Sequence, residues 1–322
     1  METNAPVIRI QVLKKASEFE SVRAEWERLG RNPEATDFQQ FHWNRLAAEV
    51  FADREEPHVI IATRGEHAVI LPLAIRRNGT AGLLGETLFD YRDLLSSGDP
   101  ELERTVLAEA AQLNLDLDIT ALTPAATHRW NMFKLHPFTN APRIVRANCT
   151  AEQLIESHRR LGRHSRRIAK RGAQFKSRNG ADREFVRDLY ARKATQQDSL
   201  FTDPVRRDFM ERICHEEGNR CRIFTYETAD DLVAAALTFQ SDHACQFYTI
   251  YFDPGWSALS PGQVLLYEAS VQVLCDGFDC DFLTGEYPYK TRLANDAVPL
   301  MRIQATATEW RDALVARKDI AA

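Results

Sequence analysis

The strongest constraint on the fold is an order of patterns that occurs twice along the 322 residues. Each half reads as a strand, a group of amphipathic helices, three strands suited to antiparallel pairing, one helix and a final strand. The two halves share no evident sequence identity, so the repeat is one of structure. We expect an α/β (α+β) chain of two similar domains, residues 1–140 and 141–322, with mixed, mostly antiparallel sheets flanked by helices.

The second half carries most of the specific patterns. Its predicted elements are, in order, a strand at 143–147, helices at 151–175, 182–198 and 204–217, strands at 221–240 and 244–252, a helix at 261–276 and a strand at 278–283. The two prolines of residues 136–150 favour a linker between the halves.

Composition excludes several classes of protein. The net charge of −5 provides no global attraction to nucleic acid or to an anionic membrane, so any such attraction is local. No run of about 18 apolar residues predicts a membrane-spanning helix, and the N-terminus lacks the order of a signal peptide. The six cysteines form no C-x-x-C pair. We expect a cytoplasmic protein with reduced thiols and no metal site.

Four short motifs follow one another within residues 251–290. They are Tyr251-Phe252-Asp253-Pro254, Ser260-Pro261-Gly262, Asp281-Phe282-Leu283-Thr284-Gly285 and Tyr289-Lys290. In this order they resemble the GNAT superfamily of N-acyltransferases, and within it the tandem-GNAT group of FemAB-like aminoacyl transferases and CelD-like proteins of polysaccharide biosynthesis. The resemblance implies two tandem GNAT-like domains that use acyl-CoA or aminoacyl-tRNA as donor. Residues 257–264 depart from the usual Q/R-x-x-G-x-G/A phosphate loop, because Gly262 is their only glycine.

The helix starts of the two halves differ in charge. A helix N-terminus presents unsatisfied N–H groups and a partial positive charge, which suit a phosphate. The first-half start carries Asp99, Glu101 and Glu103, whereas no acid occurs in the second half from Ser257 until Glu268. We therefore expect only the second domain to hold the donor's phosphates. The residues expected to bind acyl-CoA are Ser260, Pro261, Gly262 and Gln263; the alternative is that Ser260 only caps the helix.

A second candidate for anion binding is the stretch of residues 158–178, which carries nine Lys and Arg and no acid. Arg166, Arg167, Lys170 and Arg171 are expected to contact an anionic substrate: CoA, an anionic small-molecule or sugar-linked acceptor, or, alternatively, tRNA. A solvated helix face is the competing interpretation.

Acyl transfer to an amine needs a deprotonated acceptor, a stabilised oxyanion and a proton for the leaving group. The resemblance places Lys290 beside the reacting carbonyl, and Tyr289 is a candidate proton donor. Asp281 and Glu286 are the candidate carboxylates. The acyl group is expected to insert where the strand of Tyr248 and Tyr251 diverges from its neighbour. Tyr251, Asp253 and Tyr91 complete the expected substrate-binding residues; a turn-forming role is the alternative for Asp253.

Together these patterns predict an N-acyltransferase that uses acyl-CoA as a co-substrate, with no tightly bound cofactor. The acceptor is an amine of a sugar, an amino acid or a cell-envelope precursor. The alternatives are an aminoacyl-tRNA-dependent FemAB-like transferase and a non-catalytic module that binds an anionic glycan precursor or nucleic acid.

Overall fold

The computed structural model describes residues 7–318, which divide into two compact units. Unit 1 contains the described residues up to Thr139 and those from Pro299 onward, and unit 2 is Asn140–Val298. The strands are β1 (Arg9–Leu13), β2 (Glu55–Arg64), β3 (His67–Arg76), β4 (Thr80–Leu83), β5 (Leu95–Ser96), β6 (Asp116–Leu122), β7 (Leu135–Ile144), β8 (Gln174–Asn179), β9 (Cys221–Glu227), β10 (Leu232–Gln240), β11 (Ala244–Phe252), β12 (Asp279–Asp281) and β13 (Asp296–Ala305). The helices are α1 (Arg23–Leu29), α2 (Phe41–Val50), α3 (Pro100–Ala111), α4 (Pro124–Thr127), α5 (Ala151–Ser157), α6 (Arg159–Lys170), α7 (Arg183–Ala194), α8 (Pro204–Glu217), α9 (Pro261–Cys275), α10 (Pro288–Thr291) and α11 (Ala307–Lys318).

The two units repeat one pattern of strand pairing. In unit 1 the order is β1-β2-β3-β4-β6-β13, antiparallel except for the parallel pair β4–β6, and β5 pairs with β3. In unit 2 the order is β8-β9-β10-β11-β12-β7, antiparallel except for the parallel pair β11–β12. The expected tandem of mixed, mostly antiparallel sheets flanked by helices is confirmed.

The first strand of the second repeat is not where the sequence predicts it. β8 takes the place that β1 takes in unit 1, whereas residues 143–147 were expected there. The helix predicted over 151–175 ends at Lys170, and the chain enters β8 at Gln174. β8 has no buried residue, so its sequence lacks the apolar alternation that identifies a half-buried strand.

Residues 136–150, expected to be a linker, are largely strand β7. Pro142 lacks an N–H group, but its carbonyl accepts a hydrogen bond from the Phe282 N–H at 3.0 Å. A proline pairs in this way where only its carbonyl has to take part in the sheet.

The expected domain of residues 141–322 also differs from the structure at its end. Residues 301–305 of β13 pair with β6 of unit 1, and Ile303 is fully buried there. Trp310 of α11 is 1 % exposed and packs against Phe133 with 6.3 Å between ring centroids. The burial of these side chains joins the segment to the core of unit 1.

α9 is the central helix of unit 2. It is apolar almost all round and buries ten of its residues against the sheet strands β10 and β11 and against α5 and α6. Within the described part of the chain, no helix has the length and apolarity to cross a membrane. Cys214, Cys221, Cys245 and Cys280 are buried free thiols, whereas Cys149 and Cys275 reach the surface.

Candidate functional site

The parallel strands β11 and β12 pair over three residues and then separate. The last pair is Gln246 with Asp281, and β11 continues beyond it to Phe252 while β12 ends. β11 also bulges at this point, since Leu237 lies opposite Thr249 but Thr238 lies opposite Phe247, which leaves Tyr248 as the extra residue. A bulge bends its strand and increases the local twist. An opening between neighbouring strands therefore begins at Gln246.

The separation has a local cause on the β12 side. After Asp281 the backbone bonds to β7 instead, through Phe282 N–H to the Pro142 carbonyl at 3.0 Å and Gly285 N–H to the Asn140 carbonyl at 3.2 Å. Leu283 and Gly285 have φ values of 56° and 100°. Left-handed backbone of this kind redirects a chain sharply and is strained at a leucine.

The first turn of α9 lies against the part of β11 that has separated from β12. A Cβ atom at Gly262 would lie 3.1 Å from Phe252 Cδ1 and 3.5 Å from Ile250 Cγ2. Gly262 is buried, and the missing side chain lets the helix start approach the strand closely. The predicted phosphate site and the strand opening are therefore adjacent.

The start of α9 is not closed by the Ser260 side chain. Ser260 adopts a left-handed conformation (φ 51°, ψ 52°), and its hydroxyl makes no capping hydrogen bond. The first helical bond runs from the Val264 N–H to the Ser260 carbonyl at 3.1 Å. No acceptor among the described residues takes the N–H groups of Gly262 or Gln263. Ser260 therefore does not act as a side-chain cap of α9, and the N–H groups of Gly262 and Gln263 stay available to a ligand.

The corresponding start of α3 in unit 1 is occupied by its own side chains. Asp99 accepts hydrogen bonds from the N–H groups of Glu101 and Leu102 at 3.1 and 3.3 Å. Arg64 bonds to Asp99 at 2.6 Å and also pairs with Glu101. The positive end of this helix is therefore neutralised by carboxylates.

α6 is attached beside α9 by a carboxylate two turns inside that helix. Glu268 accepts hydrogen bonds from the hydroxyls of Ser165 and Tyr226. Burial, together with the Glu268 charge, raises the pKa of Tyr226 well above its ordinary value. The acid that interrupts the charge-free run in the sequence thus serves to attach α6.

One face of α6 borders the segment that leads into α9. His164 Nδ1 lies 3.2 Å from the Leu259 carbonyl oxygen, and the Arg171 guanidinium lies 5.9 Å from the Trp256 ring centroid. Arg167 is three residues from His164 and four from Arg171, so the three side chains share that face. Its positive charge is therefore placed close to the start of α9.

Six of the nine basic residues of the stretch 158–178 carry unneutralised charge. Arg159 pairs with Glu156, and Lys176 and Arg178 both bond to Glu227 across β8 and β9. The remaining six are exposed and have no ion pair within the described part of the chain: Arg160, Arg163, Arg166, Arg167, Lys170 and Arg171. We call these six residues the cationic face of α6.

Lys290 and Tyr289 lie on the segment that leaves β12. Lys290 is 8 % exposed, and its Nζ donates to the Thr284 carbonyl at 2.8 Å and lies 5.4 Å from the Tyr287 ring centroid. The Tyr289 ring stacks on Tyr287 with 5.8 Å between centroids. Burial raises the pKa of Tyr289 to about 12, so its phenol stays protonated at neutral pH.

The three predicted carboxylates differ in their surroundings. Asp281 is half-buried at the point of strand separation, where Oδ1 accepts the Leu283 N–H at 2.8 Å. Glu286 is exposed and accepts a hydrogen bond from Asn140 Nδ2 at 2.9 Å. Asp253 accepts the Gly255 N–H at 2.7 Å and caps the short helical segment Pro254–Leu259. The geometry of Asp253 is that of a turn former.

Tyr251 and Tyr91 are not brought to the strand opening. Tyr251 is 5 % exposed, and burial raises its pKa, an effect that the nearby Arg192 guanidinium opposes. Tyr91 is a residue of unit 1, is 6 % exposed and packs against Phe38. Neither ring presents a surface to a substrate, because each is enclosed by protein.

The sequence analysis missed three polar residues of the α7 segment that contact β11. Tyr190 bonds to the Thr249 hydroxyl at 2.9 Å, Lys193 Nζ to the Ile250 carbonyl at 2.9 Å, and Gln196 Nε2 to the Phe252 carbonyl at 3.0 Å. Tyr190 and Lys193 lie one turn apart on α7 and Gln196 just past its end, but each bonds to another element, so their spacing carried no signal that could have identified them. Within residues 7–318, no group of three or more His, Cys, Asp or Glu could hold a metal ion.

Comparison with known proteins finds a family match at this site. Residues 156–291 match the family model described as an acetyltransferase (GNAT) domain. This segment is therefore similar to a GNAT domain, and it contains α9, the opening between β11 and β12, and the cationic face of α6. No curated protein matches the chain by sequence.

Solved structures of similar fold cover nearly the whole chain. FemX superposes with a TM-score of 0.60 at 8 % identity, covering 95 % of this chain and 100 % of that one. A conserved protein of unknown function from Bacteroides thetaiotaomicron has a TM-score of 0.60 at 9 % identity, covering 93 % and 100 %. L-PGS from Bacillus licheniformis has 0.55 at 10 % identity, covering 98 % of each chain. The resemblance to the tandem-GNAT group is confirmed at the level of the fold.

Proposed function

We propose that the chain is an N-acyltransferase that moves an acyl group from acyl-CoA to an amine of a sugar, an amino acid or a cell-envelope or polysaccharide precursor. The observation that supports this best is the contact of the first α9 turn with Ile250 and Phe252, beyond the separation of β11 from β12. A diphosphate at the helix start and a thioester between the strands then belong to one extended donor. Acyl-CoA is a co-substrate in this proposal, and the reaction takes place in the cytoplasm.

In the proposed reaction the amine nitrogen attacks the thioester carbonyl carbon. The new C–N bond forms as the carbonyl oxygen becomes an oxyanion, and the C–S bond then breaks. The nitrogen gives up a proton, and the departing thiolate takes one up. Asp281, the carboxylate at the strand separation, is the proposed base, and Glu286 is the more exposed alternative. N–H groups of β11 and the Lys290 ammonium stabilise the oxyanion.

Tyr289 is the proposed proton donor to the thiolate. Its hydroxyl has no hydrogen-bond partner within residues 7–318, so it is available to a substrate. Because burial raises its pKa to about 12, the phenol is still protonated when the thiolate forms.

The proposed binding sites for the donor's phosphates and for an anionic substrate rest on the distribution of charge. Gly262 and Gln263 bind the donor's phosphates through their N–H groups, with Ser260 and Pro261 shaping the helix start. Arg166, Arg167, Lys170 and Arg171 attract the anionic donor or an anionic acceptor. Unit 1 has no donor site, because carboxylates occupy the start of α3.

Aminoacyl transfer from tRNA is the second candidate function, and the cationic face of α6 favours it. Six exposed cations without an ion pair, five on α6 and Arg171 at its C-cap, suit the regularly spaced phosphates of a polyanion. A small donor such as acyl-CoA carries fewer phosphates than this surface could contact.

Calorimetry separates these functions. The protein is titrated with acetyl-CoA, succinyl-CoA, a long-chain acyl-CoA and total aminoacylated tRNA at fixed salt. Binding of an acyl-CoA, followed by release of free thiol when an amine is added, supports the first proposal. Binding of tRNA without any acyl-CoA supports the second. Binding without turnover of any donor identifies a non-catalytic module, and binding of neither donor rejects both transfer reactions.

A further inference from the structure

The edge of β11 beyond its bulge has its carbonyl groups occupied by side chains. The Asp253 N–H bonds to the Val233 carbonyl of β10 at 2.8 Å. Peptide groups alternate along a strand, so those of Ile250 and Phe252 point away from β10. β12 offers them no partner, because its pairing with β11 ends at Gln246. These groups therefore face the opening between the two strands.

Two side chains of the α7 segment bond to the carbonyls on this edge. Lys193 Nζ donates to the Ile250 carbonyl at 2.9 Å and to Gln196 Oε1 at 2.6 Å. Gln196 Nε2 donates to the Phe252 carbonyl at 3.0 Å. Both carbonyls are thus bonded, whereas the N–H groups of the same two residues stay directed into the opening.

Lys193 makes these bonds without a neutralising acid. No carboxylate lies within ion-pair distance of its ammonium among the described residues, and burial lowers its pKa. Partly burying an ammonium that has no acidic partner is costly. Attachment of α7 does not require it, since Tyr190 already bonds to Thr249 one turn earlier on the same helix.

We propose that Lys193 and Gln196 are positioning residues that leave N–H donors as the unbonded groups on the open edge of β11. Such an edge presents two N–H groups to the carbonyl oxygen of an acyl donor, and to the oxyanion that develops from it, while its own carbonyls are already bonded. The inference rests on the proposed acyl transfer at this opening. It adds the specificity of the edge for an oxygen acceptor.

The test compares Lys193→Met with Tyr190→Phe, a control that removes one hydrogen bond between the same helix and the same strand. Free thiol released from acetyl-CoA is measured with glucosamine as the amine. Lys193→Met is expected to lower kcat about tenfold or more, with KM for acetyl-CoA changed less than about twofold. Tyr190→Phe is expected to keep kcat within about twofold. Lys193→Arg, which retains a donor, is expected to recover part of the lost rate.

Hydrogen exchange of the Asp253 amide, which bonds to the Val233 carbonyl of β10, provides a readout that needs no turnover. Removing the Lys193 bond to the Ile250 carbonyl should loosen this end of β11, so exchange of the Asp253 amide is expected to be several times faster in Lys193→Met than in the wild type, and unchanged in Tyr190→Phe. Unchanged exchange in Lys193→Met, or equal kcat losses in the two variants, overturns the inference. A wild type that transfers no acyl group from acetyl-CoA, succinyl-CoA or a long-chain acyl-CoA to any of a panel of amino sugars and amino acids, but whose exchange depends on Lys193, rejects the proposed function and retains the role of Lys193 on this edge.

Discussion

The Lys290 ammonium donates a hydrogen bond to the Thr284 carbonyl at 2.8 Å, on the segment that leaves β12. Lys193 makes the corresponding bond to the Ile250 carbonyl on β11. Each of the two diverging backbones thus has a lysine bonded to a carbonyl just beyond the point of separation. The two ammonium groups bring positive charge to an opening in which we expect an oxyanion to form.

The role of Lys290 is tested by Lys290→Met, which keeps the apolar stem and removes the charge. If the ammonium stabilises the oxyanion, kcat falls about 100-fold while KM changes little, because the interaction is made in the transition state. Steady-state kinetics with thermal unfolding as a check measures this. Tyr287→Leu, which removes the ring beside the ammonium, is the control. Near-normal turnover of folded Lys290→Met would show that the residue only supports the segment.

The donor site is tested by Gln263→Glu, an isosteric change in the first turn of α9. The carboxylate reproduces in unit 2 the charge that Glu101 and Glu103 place at the start of α3. It should leave the melting temperature unchanged or raise it slightly, because an acid stabilises a helix start. Its repulsion of a diphosphate should weaken acyl-CoA binding about tenfold. Unchanged affinity by calorimetry would place the donor elsewhere.

The cationic face of α6 is tested by changing Arg166, Arg167, Lys170 and Arg171 to glutamine together. Binding of the anionic substrate should weaken, and its dependence on salt should flatten. The control changes four exposed cations elsewhere, Lys14, Arg31, Arg183 and Arg311, and so has the same net charge. Acyl-CoA and total tRNA are titrated separately between low and moderate salt. Equal effects of the two variants would show that the cationic face of α6 is only a solvated helix surface with no specific role in binding.

The apolar periodicity of this chain predicts its tandem order, its hairpins and α9, but it does not predict β8. The segment Gln174–Asn179 contains one apolar residue and lies exposed at the sheet edge, so burial leaves no pattern in it. The sequence does not predict β7 either, because Pro137 and Pro142 within it are typical of a linker. No single sequence motif marks the strand opening, because the opening depends on the bonds of Phe282 and Gly285 to β7.

The predicted site residues divide in the same way. Motifs on one element, such as Ser260 to Gln263 and Tyr289 with Lys290, lie where the two sides of the opening begin. Tyr251 and Asp253 share a motif with Phe252, yet alternation and capping direct them to other partners. The sequence could not predict the role of Lys193, because its ammonium bonds to a backbone carbonyl of another element and residue spacing does not record such a contact.

The Glu227 carboxylate should make the free energy of unfolding of unit 2 depend on pH in the acid range. The hydrogen bond from Arg178, with those from Thr225 and Lys176, lowers the pKa of this carboxyl to about 2 from its ordinary 4.5. A lowered folded pKa stabilises the protein above pH 4.5, and that contribution is lost as the pH falls toward 2. Glu227→Gln should therefore cost about 2 kcal/mol at pH 6 and progressively less below pH 4.5. Urea unfolding between pH 6 and 3 measures the difference, and a pH-independent gap would contradict the assignment.

The return of residues 299–315 to the core of unit 1 has a consequence for synthesis on the ribosome. Unit 2 is one continuous segment, whereas unit 1 lacks a strand and the buried Trp310 until nearly the whole chain has emerged. The part of the chain that is made first is therefore completed last, and a nascent chain that stops before Pro299 leaves the edge of β6 and the Phe133 side of the core exposed to aggregation.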